Sequence, residues 1–418
     1  MNKENKKTFD WDEEKTSQFI VWDYFDAFEQ MGAKDFKKTF SKKYFSILQK
    51  YNKYKFALNS LDKIFFKLLT KNNKKILFEG IKYSLIVSEV KKRYPTGLIV
   101  KGIEDRLFSL RNFIGYLSLT DLFQLVYYYL AEGKIQYLYQ LIKKVEDRLR
   151  AVNPDYIVLW NDALPLERAI ILASKKLGIT TLEIQHGIYH SSSPLTTGKA
   201  ADYVLVWGQY FKDMYINQGI KKPEALYILG YPYLIKRSNL SYRTKGNYVV
   251  CYFGGDFERY NRDLLAIKFE TLRNLNKLCQ KLNLNFIYRP HPSDDKRMLK
   301  KELPEVNFTP KYEKLNDTIQ KGDIFISFNS TALIEAAIRS KISLQLLNYP
   351  LKTDNFEKLG IINKSFFEIR QLAEYLEFLS ELPNLTQAKL EFNTNYIETK
   401  YHPGKRFLEI LEDIKNKK

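Results

Sequence analysis

The sequence predicts an α/β protein with two Rossmann-like domains facing a central cleft and a helical N-terminal extension. Three observations predict it. Short apolar runs alternate with helical periodicity from about residue 155 to 230. The same alternation begins again near residue 248 and continues to about 350. Between the two lies a polar segment, KRSNLSYRTKGN (Lys236–Asn247), read as the interdomain linker. Strands alternating with helices imply right-handed crossovers and parallel sheets. Such sheets bind ligands beyond the carboxyl ends of their strands.

Residues from about 15 to 70 carry aromatic and lysine positions at loosely helical spacing. KILFEG (Lys75–Gly80) and GLIVKG (Gly97–Gly102) read as short strands separated by a helix. A mostly helical stretch follows, about 104 to 152. Its most apolar window, FIGYLSLTDLFQLVYYYLA (Phe113–Ala131), holds Asp121 and Gln124 near its centre, which argues against a spanning helix and predicts a buried one. DYIVLWND (Asp155–Asp162) is a strand, and LERAIILASKKLG is an amphipathic helix closed by Gly178. TTLEIQHG and ADYVLVWG are strands, followed by a helix to about Gln218 and the strand ALYILGYP. After the linker come the strand NYVVCYFGG, a long helix from Arg262 to Leu282, the strand NFIYRPHP and a helix after Asp294. VNF is a strand, Tyr312–Lys321 a helix, DIFISF a strand, STALIEAAIRS a helix and ISLQLLNY a strand. Helices finish the chain. The predicted boundaries are a helical region at 1–70, Rossmann-like domains at 71–238 and 239–390, and a C-terminal helix at 391–418.

With 418 residues, 45% of them hydrophobic, the chain can bury a sizeable core. The formal charge of +19 favours polyanionic partners such as nucleic acid, an anionic membrane face or a phosphorylated substrate, or else marks a solvated basic surface. Much of the lysine excess fits an AT-rich coding genome, and no nucleic-acid-binding motif is recognisable. Cys251 and Cys279 form neither a metal spacing nor a disulfide framework, which fits a reducing cytoplasmic setting. The N-terminal MNKENKKTFDWDEEK lacks the apolar core of a secretory signal.

Four short features fall at predicted strand ends or helix starts. In NDALPLER (Asn161–Arg168), Asp162 ends a strand and Pro165 opens a helix, so Asp162 is either a helix cap or a base. In QHGIYH (Gln185–His190), Gly187 allows a sharp turn after His186. An imidazole there can act as base, acid or donor, or can simply bond a neighbouring carbonyl. In NFIYRPHPSDD, the prolines stop the strand, and Arg289 and His291 alternate at its end. The pair can meet a phosphate, the arginine through its planar fork and the histidine as a donor, or the stretch is a structural turn. In SFNSTALIEAA (Ser327–Ala337), Asn329 or Ser330 can cap the following helix. Ser330, Thr331 and the first N–H groups then form an anion site. Glu335, one turn deeper, either accepts ribose hydroxyls or is an ordinary helical glutamate.

RPHP (Arg289–Pro292) resembles the HP motif, and Ser330–Thr331 the SS/T motif, of bacterial sialyl- and polysialyltransferases of GT-B fold. QHG (Gln185–Gly187) resembles the HG loop that capsule Kdo transferases and CDP-glycerol glycerophosphotransferases pair with an HP loop. The likeness covers residues 155 to 345. It implies a GT-B fold in which Arg289, His291, Asn329, Ser330, Thr331 and Glu335 bind the nucleotide, and His291 stabilises the departing CMP. Gln185, Gly187 and His190 would lie on the acceptor side. The acidic D/E-D/E-G tripeptide of the sialyltransferases is absent, so Asp162 or His186 would serve as base. The implied activity is a metal-independent inverting glycosyltransferase, since no DxD tripeptide lies in the predicted site loops and no other cofactor is called for. Its donor would be a CMP-linked nonulosonate or Kdo-type sugar, with UDP- or GDP-sugars as the other options. Its acceptor would be a cell-surface polysaccharide or glycolipid. The SFNSTALIEAA segment is also similar to the nucleotide-binding helix of UDP-sugar enzymes and UDP-GlcNAc 2-epimerases. The alternatives are a CDP-glycerol-type polyol phosphate transferase, a sugar-nucleotide epimerase, or a basic binding protein. Partners would be the donor, a glycan or lipid-linked glycan and an anionic membrane face, but not nucleic acid. The location would be cytoplasmic, at the inner face of the plasma membrane.

Overall fold

The computed structural model describes residues 12–30, 41, 44–46, 48–49, 60, 62–70, 76–80, 82–191, 195–233, 248–255, 262–292, 294–310, 312–388 and 390–417. The expected linker, Lys236–Asn247, and most of the expected helical region between 31 and 61 lie outside the described residues. The chain divides into two compact units. Unit 1 comprises Met1–His186, Leu195–Leu234 and Ile397–Lys418; unit 2 comprises Gly187–Pro194 and Ile235–Tyr396.

Unit 1 opens with α1 (Glu13–Gln30) and builds a parallel sheet from β1 (Ile76–Glu79), β2 (Thr96–Val100), β3 (Tyr116–Ser118), β4 (Tyr156–Leu159), β5 (Thr180–Ile184), β6 (Tyr203–Val206) and β7 (Leu226–Ile228). Seven strands lie in the order β3-β2-β1-β4-β5-β6-β7. Between them run α2 (Ser84–Val90), α3 (Ile103–Asn112), α4 (Thr120–Ala131), α5 (Gln140–Val152), α6 (Pro165–Leu177) and α7 (Gln209–Asn217). The central strands are buried along their whole length, which is why they read as continuous apolar runs. Pro165 takes the first helical position of α6, and Gly178 ends it in the left-handed conformation at φ +71°. The last helix, Pro403–Asn416, returns to this unit and places Phe407, Leu411 and Ile414 in its core beside Phe78, Ile86 and Val158.

The window Phe113–Ala131 is not one buried helix. Phe113 is left-handed at φ 48° and stands 80% exposed; then comes the edge strand β3, and only residues 120–131 form α4. Gly115 explains the break. A Cβ there would lie 2.7 Å from the backbone nitrogen of Leu69, so helical residues 62–70 pack directly on this turn. Periodicity alone does not separate a short buried strand from a helix. No described helix is long and apolar enough to cross a membrane.

Unit 2 contains β8 (Val249–Phe253), α8 (Arg262–Lys281), β9 (Asn285–Arg289), α9 (Lys296–Glu302), α10 (Leu315–Lys321), β10 (Ile324–Ser327), α11 (Thr331–Ile338), β11 (Ile342–Leu346), β12 (Lys364–Phe366) and α12 (Ile369–Glu381). Five parallel strands lie in the order β12-β11-β10-β8-β9. The expected strand VNF is reduced to a single parallel bridge between Phe308 and Tyr288, beside β9. The short strand β12 follows β11, where only helices were expected. Cys251 in β8 and Cys279 in α8 are buried free thiols, and burial pushes both thiol pKa values up. With the Phe308 bridge counted as a strand, both sheets follow the doubly wound order 3-2-1-4-5-6. The strand order reverses between β1 and β4 in unit 1 and between β8 and β10 in unit 2. Those two switch points are where this topology opens a crevice for ligands.

Candidate functional site

At the switch point of unit 2, three strand ends are tied together. The Gly254 N–H, just beyond β8, donates to the Arg289 carbonyl at 3.0 Å. A Cβ on Gly254 would lie 2.5 Å from Tyr288 Oη and 3.1 Å from the His291 nitrogen, so only glycine lets the end of β8 touch the RPHP turn. On the other side, Ser327 Oγ donates to the Phe253 carbonyl at 2.9 Å and lies 3.3 Å from the Ser330 N–H, which donates to it. Ser330 is the N-cap of α11 and accepts the Ala332 N–H at 3.2 Å. His291 and the α11 tip therefore lie on either side of the end of β8, at Phe253 and Gly254. Asn329, Ser330 and Thr331 are half-buried there. Glu335, one turn on, pairs with Arg339 at 3.4 Å.

Asp294 brackets the RPHP turn. Its Oδ2 accepts the His291 N–H at 2.8 Å and the Tyr288 hydroxyl at 3.0 Å, and its Oδ1 takes the Lys268 ammonium at 2.9 Å. Arg289 does not join His291. The strand ends at Arg289, so pleat alternation does not reach His291. The Arg289 guanidinium donates to Thr318 Oγ1 at 2.6 Å and to the Glu313 carbonyl at 3.1 Å. Arg289 also lines a cavity of about 700 Å³ with Pro290, Pro292, Lys296, Phe308 and Tyr312.

At the switch point of unit 1, the ends of β1, β2, β4 and β5 bring together Glu79, Lys82, Lys101, Trp160, Asn161 and His186. His186 is half-buried; its ring meets Trp160 edge-on at 5.2 Å and makes a backbone hydrogen bond to Trp160. Asn161 Oδ1 accepts the Ala163 N–H at 2.7 Å, which turns the amide Nδ2 toward His186 Nε2 at 3.4 Å. That assigns Nε2 as the unprotonated nitrogen. Burial, and then the nearby charge of Lys82, push the His186 pKa down to about 3. Lys101 bridges the carboxylates of Glu79 and Glu167. Burial raises Glu79 well above its usual range; at Glu167 burial pushes the same way, but Lys101 and a hydrogen bond with Glu79 together outweigh it and hold the pKa low.

Asp162 is neither a cap nor a free base. It is fully buried, and its carboxylate accepts the N–H groups of Gly198 at 2.7 Å, Ala200 at 2.6 Å and Ala201 at 3.0 Å. The N-cap of α6 is Leu164, with no side-chain bond. The loop before β6 needs an acceptor for its amides, and Asp162 fills that need. Gln185 is likewise buried; its Oε1 accepts the Trp207 N–H at 2.9 Å, tying β5 to the end of β6. At Gly187 a Cβ would meet nothing within 4 Å, so no close approach requires a glycine there. His190 belongs to unit 2, where its ring stacks on Phe356 and its Nδ1 lies 3.3 Å from the Asp354 N–H. His186 and His190 thus fall in different units. Lys268, Lys82, Lys101 and Glu79 went unnoticed in the sequence, because single charged residues on helices and strand ends carry no local signature. Asp294 had one: an aspartate three residues after His291.

No family model matches the sequence, and no curated protein does. Solved structures do. The UDP-GlcNAc 2-epimerase of Methanocaldococcus jannaschii matches with a TM-score of 0.56 at 14% identity, over 81% of this chain and 99% of that one. The chain has the GT-B fold. The UDP-GlcNAc 2-epimerase of Neisseria meningitidis, solved with UDP-GlcNAc bound, matches with a TM-score of 0.54 at 15% identity, over 82% of this GT-B chain and 99% of that one. A glycosyltransferase from Rickettsia africae matches with a TM-score of 0.54 at 12% identity, over 82% and 99%. At such identities the likeness is one of fold.

Proposed function

We propose that this GT-B chain is an inverting, metal-independent glycosyltransferase using a nucleotide-activated sugar. The observation that carries the reading is the unit 2 switch point, where His291 and the capped tip of α11 lie on either side of the end of β8 at Phe253 and Gly254. The partial positive charge at a helix N-terminus favours a phosphate. As the bond from the anomeric carbon to the phosphate oxygen breaks, its electron pair passes to the nucleotide. His291, Ser330, Thr331 and the first N–H groups of α11 oppose that growing charge. Each preorganised donor contributes on the order of a hundredfold in rate. Glu335 takes a ribose hydroxyl, Asn329 borders the phosphate, and Arg289 acts indirectly by holding the Glu313–Thr318 segment.

Unit 1 takes the acceptor, a glycan or glycolipid of the cell surface. The acceptor oxygen forms the new bond to the anomeric carbon, and its proton passes to His186 Nε2. Asp162 is left out of that step because its oxygens are already bonded. The RPHP and Ser330–Thr331 pair favours a CMP-linked nonulosonate or Kdo-type donor, and the +19 charge suits work at an anionic membrane face.

A sugar-nucleotide epimerase is the second reading, favoured by the likeness to two 2-epimerases. Mass spectrometry after incubation with CMP-, UDP- and GDP-sugars, CDP-glycerol and a bacterial glycan fraction separates the possibilities. Free nucleotide plus a glycan heavier by one sugar supports the transferase. A glycan that gains phosphate supports the polyol phosphate transferase instead. An isomer of the donor formed without acceptor supports the epimerase. Consumption of no donor overturns all three.

A further inference from the structure

Two ammonium groups lie at the unit 1 switch point. Lys101 bridges Glu79 and Glu167 and so takes up both of these carboxyl groups. Lys82 is the second cation. Its Nζ sits 4.2 Å from the centre of the Trp160 ring, and it forms no ion pair among the described residues. A ring face attracts an ammonium by about 0.5–2 kcal/mol, which does not replace a counter-ion. Burial lowers the Lys82 pKa to about 8, with Glu79 opposing the shift and Lys101 adding to it. The charged groups around it come from β1 (Glu79), the end of β2 (Lys101) and α6 (Glu167), and His186 follows β5.

A half-buried ammonium over an aromatic ring, at the strand-order reversal of a parallel sheet, is placed to receive an anion. We propose that Lys82 is an anion-receiving residue of unit 1 whose ammonium, seated over Trp160 and beside His186, takes a carboxylate or phosphate oxygen of the ligand. This deepens the reading of unit 1 as the acceptor side, on which it rests, by making the acceptor an acidic or phosphorylated glycan. The arrangement also couples binding to chemistry. The charge of Lys82 is one of the two causes that depress His186, and an anion paired with Lys82 offsets it. His186 therefore gains basicity when the acceptor is in place.

Trace acetylation of the intact protein with isotopic acetic anhydride, read by mass spectrometry across pH 6 to 10, tests this without substitution. Lys82 is expected to titrate near pH 8. Inorganic phosphate or free glucuronate, at constant ionic strength against chloride, is expected to slow labelling of Lys82 at pH 8. A rise of about one pKa unit lowers the free amine about fivefold. Lys175 is expected to keep its rate. Protection by phosphate alone assigns a phosphorylated ligand, and protection by glucuronate alone an acidic sugar. If neither anion protects Lys82 more than chloride does, the proposal is overturned. Nucleotide binding, measured in parallel on the same protein, reports on unit 2. Retained nucleotide binding without anion protection would remove this inference and leave the transferase reading standing.

Discussion

The Asp294 carboxylate receives the backbone N–H of His291 at 2.8 Å, while its other oxygen receives the Lys268 ammonium at 2.9 Å. The turn presenting His291 is thus fastened to the long helix α8 by a charge pair whose Lys268 side chain is only 1% exposed. Replacing Asp294 by alanine removes the carboxylate that this ammonium, the Tyr288 hydroxyl and the His291 N–H share. Breaking such a pair costs about 3–5 kcal/mol. Urea unfolding of Asp294→Ala is expected to show a loss of that size, and an unchanged midpoint would mean the bracket does not form.

His291 itself is half-buried, and its side chain is not part of either core cluster. His291→Ala is expected to lower turnover on the order of a hundredfold, with stability changed by no more than about 0.5 kcal/mol. Equal melting temperature together with unimpaired turnover would take His291 out of the mechanism.

Ser330 does two jobs, and two substitutions separate them. Ser330→Ala removes the cap of α11 and is expected to cost about 1 kcal/mol. Ser330→Asp retains a good cap but sets a negative charge where the phosphate would sit. It is expected to melt like the wild type and to lose nucleotide affinity. Calorimetry finding undiminished affinity in Ser330→Asp would locate the phosphate elsewhere.

Much of this was legible in the sequence because the strands of a parallel sheet are buried on both faces and bounded by glycine and proline. The runs ending at Glu79, Leu159, Ile184, Phe253, Arg289 and Ser327 all became strands, and the cap at Ser330 was readable from its residue type. What failed were choices that depend on distant partners. Asp162 looks like a base or cap from its neighbours, but the amides that claim it lie at Gly198, Ala200 and Ala201. Arg289 looks aimed at a phosphate, but Thr318 and the Glu313 carbonyl hold it. The break at Gly115 depends on Leu69, far off in sequence. The place of Lys82 over Trp160, beside the Lys101 pairing with Glu79 and Glu167, depends on strands far apart in sequence.

Glu183, in β5, is fully buried beside Asp162 and the Gly198 backbone. Burial, reinforced by the Asp162 charge, raises its pKa well above the usual 4.5. A carboxyl group raised in the folded state favours folding below its unfolded pKa and loses that contribution as pH climbs toward the folded value. Glu183→Gln cannot ionise. Its melting temperature relative to the wild type is therefore expected to rise as pH increases from about 4.5 upward. A difference independent of pH would mean that Glu183 is ionised in the fold.

A nucleotide phosphate gripped between the RPHP turn and the tip of α11 is tested by isothermal titration of the wild type with CMP, CDP, UDP and GDP, repeated on His291→Ala and Ser330→Asp. One nucleotide is expected to bind with unit stoichiometry, and each substitution to weaken it by about tenfold or more, as for losing a hydrogen bond to a charged group. Failure of all four nucleotides to bind the wild type, or the same affinity in all three proteins, would contradict it.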